Sequence, residues 1–229
     1  MKVLAVLLVL LLGAGVLLDR VAVGVAEAQV SRQLAATAGL AGRPDVEVRG
    51  FPFLTQAVGG RYDEVRISLT AEQLGRPAGT TADVVLRGVR VPLSAVLAGD
   101  VERVPVDRID GTATLSYGLL ADQLGGNTTL RREGDGLRIT RTVDVLGYTL
   151  PLTAVGTVAL DGDVLVIDVE RATGAGVDVP GFLVDRVSDL LDLRYRVELP
   201  FDLRLTEVTP AADGVDVRVA ARDTVLGAP

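Results

Sequence analysis

The sequence predicts an α+β fold: a long, strongly twisted antiparallel sheet with a long helix from the N-terminus set against it. Three observations carry this. Of the 229 residues 48% are hydrophobic but only 3% aromatic, with no Trp, so aliphatic side chains must build the interior. Valine-rich segments of that kind favour strands. Period-two alternation recurs from Asp45 onward, and no Ser- or Pro-rich linker divides the chain. A stretch of about 200 residues beyond the N-terminal run is enough for one core.

Taken in order, Met1-Lys2 precede an unbroken apolar run from Val3 to Leu18, closed by Asp19-Arg20. Charge followed by a hydrophobic run is the order read by the export machinery. The run spans about 24 Å as a helix, against a hydrocarbon core of roughly 30 Å. It therefore lies between a cleaved signal peptide and a retained signal anchor, and both readings stay open. Ala26-Glu27-Ala28 and Gly13-Ala14-Gly15 each offer a small-x-small cleavage pattern. A buried soluble helix would carry a polar stripe, and this run has none. Residues 1–18 are accordingly assigned to targeting and 19–229 to a single domain. The protein is expected to be exported to the periplasmic side of the cell envelope.

From Arg20 to about Leu40 the pattern becomes amphipathic, with Val23, Val30 and Leu34 on one side and Arg20, Glu27, Ser31 and Arg32 on the other. Gly39, Gly42 and Pro44 end this helix. Asp45 to Arg49 and Tyr62 to Leu69 alternate as strands on either side of a Gly-Phe-Pro-Phe-Leu loop. Ala82 to Val91 is a third strand, stopped by Pro92 before a short helical turn over Ser94 to Leu97. Val101 to Tyr117 is extended, and Gly118 to Leu124 forms a short helix closed by Gly125-Gly126. Gly134-Asp135-Gly136 and Asp161-Gly162 then mark two hairpins, because Asp and Gly tolerate positive φ. Leu183, Val187, Leu190 and Leu191 fall at the spacing of a short amphipathic helix. Between Arg196 and Leu205 apolar and polar residues alternate without a break, predicting an edge strand of about 33 Å on which Pro200 sits. Asp213-Gly214 turns the chain into a last strand through Val215, Val217 and Val219.

Composition closes several function classes. Neither Cys nor His occurs, which removes thiol nucleophiles, imidazole bases, Ser-His-Asp triads and Cys- or His-ligated metal sites. A net charge of −7 argues against nucleic acid as a partner. Asp135, Asp161 and Asp213 each precede a glycine, where turn geometry alone explains them. No Walker or Gly-x-Gly-x-x-Gly pattern is present, so no nucleotide cofactor is expected. The chain is read as non-enzymatic.

The phenylalanines are more informative, since each lies within two residues of a proline: Phe51-Pro52-Phe53, Pro180-Gly181-Phe182 and Pro200-Phe201. Two readings are open. Phe51 to Leu54 and Phe182-Leu183 form an exposed apolar patch that meets a membrane or lines a lipid entrance, or they fold back and plug the ends of the core.

The segment from Arg43 to Gln56, with Arg49-Gly50-Phe51-Pro52-Phe53-Leu54 at its centre, continues through Gly59-Gly60-Arg61-Tyr62-Asp63-Glu64-Val65. Together with Leu199-Pro200-Phe201-Asp202-Leu203-Arg204-Leu205 and Arg222-Asp223 near the end, it resembles the actinobacterial LmeA-like phospholipid-binding family. The resemblance implies a tubular lipid-binding type of fold, a curved sheet wrapped around the long helix. It also implies phospholipid held in an apolar cavity, and a role in maintaining envelope lipoglycans such as mannans. It carries no catalytic residue. On this reading Phe51, Phe53, Leu54, Phe182, Leu183, Val187, Leu190 and Leu191 form the apolar entrance or wall, and Arg49 and Arg61 are candidates for the phosphate headgroup. The plain alternative for both arginines is a solvated charge at a strand end. The functional alternative is an accessory protein that docks an envelope glycosyltransferase and carries no lipid.

Overall fold

A computed structural model describes residues 2–98, 101, 103–125, 127–145, 148–162, 164–174, 177–178, 194–196, 199 and 201–227. The apolar run and the amphipathic segment form one continuous helix, α1 (Lys2–Thr37). Gly13, Gly15 and Gly24 lie within it without breaking it. There follow β1 (Asp45–Arg49), α2 (Phe53–Gly59), β2 (Arg61–Leu69), α3 (Ala71–Leu74), β3 (Thr81–Arg90), α4 (Leu93–Ala98), β4 (Arg103–Ser116) and α5 (Tyr117–Leu124). The remainder is strand: β5 (Thr128–Glu133), β6 (Gly136–Val145), β7 (Tyr148–Asp161), β8 (Val164–Gly174), β9 (Val177–Asp178), β10 (Arg194–Arg196), β11 (Arg204–Pro210) and β12 (Gly214–Gly227).

The fold is α+β, with a six-stranded antiparallel sheet in the order β1-β2-β3-β4-β12-β11 and a second sheet in the order β10-β8-β7-β6-β5. Both predicted hairpins are present. Glu133 pairs with Gly136 across the first turn and Asp161 with Val164 across the second. Contacts divide the chain into two compact units: residues 1–69, 83–110 and 221–229, and residues 70–82 and 111–220.

In the first unit Val23 of α1, Phe53 and Ala57 of α2 form a buried cluster, with Tyr62 of β2 packed against it. In the second, Ile139, Ala154 and Ala172 on three adjacent strands make the corresponding cluster. Ser116 there receives a hydrogen bond from the Thr80 hydroxyl at 3.0 Å and one from Leu119 N–H at 3.3 Å, capping α5. Thr70 and Gln73 close a reciprocal capping box on α3.

Three local expectations are corrected. Phe53 and Leu54, expected to end the Gly-Phe-Pro-Phe-Leu loop, instead begin helix α2. The alternation between Arg196 and Leu205 is not one strand: Phe201 and Asp202 both take positive φ, 60° and 55°, and β11 begins only at Arg204. Two consecutive left-handed residues reverse a chain rather than extend it, so the alternating pattern runs on across a turn. Third, Glu27 and Ser31 do not lie on the solvent side of α1. With Asp19 and Val23 they occupy one stripe at four-residue intervals, and that stripe is the packed one, half-buried at Glu27 and buried at the other three.

Candidate functional site

Each polar side chain on that stripe meets a backbone group. The Asp19 carboxylate accepts the Leu54 N–H at 2.8 Å. This satisfies a donor at the start of α2, where the N-cap residue is Pro52 and has no side chain able to do so. Glu27 accepts the Val48 N–H at 2.8 Å, which occupies a group on the outer edge of β1. The Ser31 hydroxyl donates to the Pro44 carbonyl at 2.6 Å. Hydrogen-bonded in this way, buried polar groups hold the docking register of α1 rather than costing stability.

The second tie on α2 is Gln56. Its amide donates to the Arg49 carbonyl at 3.4 Å and its oxygen accepts the Asp63 N–H at 2.8 Å. Gly50, at φ 110°, makes room for it: a side-chain carbon there would lie 2.5 Å from Gln56 Nε2. The run Arg49-Gly50-Phe51-Pro52-Phe53-Leu54-Thr55-Gln56 is therefore the seat of α2.

That seating separates the residues of the motif. Phe53 turns inward, 6% exposed, its ring 6.1 Å from that of Tyr62. Burial there pushes the Tyr62 phenol above its ordinary pKa. Phe51, Leu54 and Val58 turn outward, at 60%, 43% and 78% exposure. The Arg20 guanidinium lies over the Phe51 ring, 5.2 Å from its centre, within cation–π range.

Beside Val58 the surface opens into a depression of about 480 Å³, walled by Val58, Pro92 and Leu93 and flanked by Arg61 and Arg90. Its floor is a close backbone approach. Gly60, at φ 64°, would carry a side-chain carbon 3.2 Å from Pro92 Cα, and its carbonyl accepts the Val91 N–H at 3.0 Å. Asp107 bridges the two arginines, accepting from Arg61 at 3.0 Å and from Arg90. Gly88 lets that carboxylate in. Two guanidiniums against one carboxylate leave net positive charge. Chemically the arrangement can hold an anion beside apolar groups.

Of the sequence candidates, Arg61 lines the depression, whereas Leu54 and Phe51 are exposed outside its lining and Phe53 is buried. Arg49 is committed elsewhere, 2.9 Å from Glu47 and 3.9 Å from Glu64. Phe182, Leu183, Val187, Leu190 and Leu191 lie outside the described residues. Arg90, Val58 and Leu93 were not visible as candidates. Arg90 joins Arg61 only through the pairing of β2 with β3, and Val58 faces outward only because its neighbours are in a helix.

An α+β protein with a long apolar N-terminal helix, a large antiparallel sheet and a second sheet is consistent with the wrapped-sheet lipid-binding proteins. Comparison with known families agrees. The chain belongs to the LmeA-like phospholipid-binding family, whose model matches residues 17–220. No curated protein and no solved structure matches it.

Proposed function

We propose that the protein is an exported envelope protein that binds phospholipid through residues 19–229, with the segment 1–18 serving as its signal peptide or membrane anchor. Membership of the phospholipid-binding family carries this reading. The N-terminal helix, long and apolar enough to cross a membrane, supports it. In this proposal the phosphate lies between Arg61 and Arg90, and acyl chains pass over Val58, Leu93, Leu54 and Phe51. The lipid so held contributes to maintenance of envelope lipoglycans such as mannans.

The test is native mass spectrometry of the full chain released from a mild detergent. A phospholipid adduct is expected, and the double substitution Arg61→Glu, Arg90→Glu should lower its occupancy at least about tenfold, since a charge-assisted hydrogen bond contributes roughly 1.5–3 kcal/mol. Undiminished occupancy would remove the depression from the site. Absence of any adduct, with a membrane glycosyltransferase co-purifying instead, would favour an accessory role without lipid.

A further inference from the structure

Where α1 leaves its apolar run, the structure does something specific with the first charges. Asp19 is turned onto α2 and given to the Leu54 N–H, and Arg20 is laid over Phe51. On the opposite side of the helix Leu18, Val21 and Val25, spaced by three and four, remain apolar and exposed. The outward apolar surface of α1 thus runs unbroken from Val3 to Val25, about 34 Å along the axis, close to the roughly 30 Å of a bilayer core. The run ending at Leu18 covers about 24 Å of that thickness, so the turns from Asp19 to Val25, which carry α2, stand at the boundary between the core and the headgroups.

Helix α2 is fastened to the last turns of this surface: to Asp19 by hydrogen bond and to Val23 through Phe53 and Ala57. Its outward residues Leu54 and Val58 are one turn apart, with Phe51 before them, all exposed. Arg20 and Arg61 stand beside them, both more than half exposed. Apolar side chains flanked by arginine are the composition of a segment that lies in the headgroup region.

We infer that α2 is an interfacial helix, resting on the surface of the same bilayer that α1 spans, with Phe51, Leu54 and Val58 inserted among the lipids. The inference rests on the reading of α1 as a retained anchor. It adds a docking surface that fixes the depression at Arg61 and Arg90 against the membrane.

The chain contains no Trp, so Phe51→Trp and Val58→Trp each introduce a sole indole at an exposed position, and Val225→Trp on β12 serves as a reference. The full-length variants are reconstituted into phosphatidylcholine vesicles containing phosphatidylglycerol. At the two α2 positions emission should shift to the blue, and brominated phospholipid should quench it at least about twofold, as expected of an indole at headgroup depth. Val225→Trp should be quenched less. Alkaline carbonate extraction of the same vesicles separates the two readings. A retained chain whose α2 indoles report water, or report an apolar setting that bromolipid does not quench, overturns the docking surface alone. A chain released by carbonate overturns the anchor and the inference with it.

Discussion

Asp19 shows how a single side chain can serve two structures. Its carboxylate, 2% exposed, closes the apolar run of α1 and supplies the hydrogen-bond acceptor that Pro52 cannot give to α2. Replacing it by Ala removes the acceptor of the Leu54 N–H and should cost about 1–2 kcal/mol, whereas Asp19→Asn keeps an acceptor oxygen and should cost less. Urea unfolding of the two variants measures the difference; equal losses would mean that charge, not acceptance, is what matters. The sequence reading placed Glu27 and Ser31 in water because polar residues on an amphipathic helix usually belong there. The signal that would have corrected it was the spacing: Asp19, Val23, Glu27 and Ser31 recur every four residues, which puts three polar groups on the stripe of a buried valine. What that pattern does not say is which backbone groups those side chains will find, because the partners Leu54, Val48 and Pro44 are fixed only by folding.

At the scale of elements, strands and hairpins were the most legible. Alternation located β1, β2 and β3 to within a residue, and the Asp-Gly signals located the turns of β5–β6 and β7–β8, since side-chain period and positive φ are local properties. Helix α2 was missed because its seven residues are too few to show a period and its entry, Phe-Pro-Phe, reads as loop. Between β3 and β4 a glycine decides the ion-pair geometry. Gly88 sits at φ 63°, and a side-chain carbon there would lie 2.1 Å from Asp107 Oδ2 and 2.8 Å from its Cβ. Gly88→Ala should therefore destabilise the protein by about 1–3 kcal/mol, from strain and overpacking together. It should also displace Asp107 from Arg61 and Arg90. Thermal unfolding reads the first effect, and the native mass spectrum of bound phospholipid reads the second. A neutral substitution would show that the strand tolerates the shift.

For the molecule as a whole, acid is the informative variable. The Arg108 guanidinium hydrogen-bonded to Asp110, aided by Arg87, holds that carboxyl below the usual range, and Arg138 does the same for Glu133. A group depressed in the folded state contributes its stability above the unfolded pKa, about 4 for carboxylates, and loses it as pH falls through the lower folded value. Stability should thus be level from about pH 7 to 5 and fall below about pH 4. Asp110→Asn should flatten that fall, and an unchanged acid limb would assign it to other groups. Class and architecture could be read from the chain because they depend on composition and period. The depression could not, because Arg61 and Arg90 stand 29 positions apart and come together only through the sheet. The order of that sheet also constrains how the molecule comes into being. Strand β4 ends at Ser116, yet its neighbour on one side is β12, which starts at Gly214. Thr114 then hydrogen-bonds to Asp216 across a separation of 102 residues. Closing so long a loop is entropically costly and slow. A chain emerging from synthesis must carry β4 with an open edge until the fourteen residues of β12 arrive, so the sheet cannot close before Gly214 to Gly227 has been made.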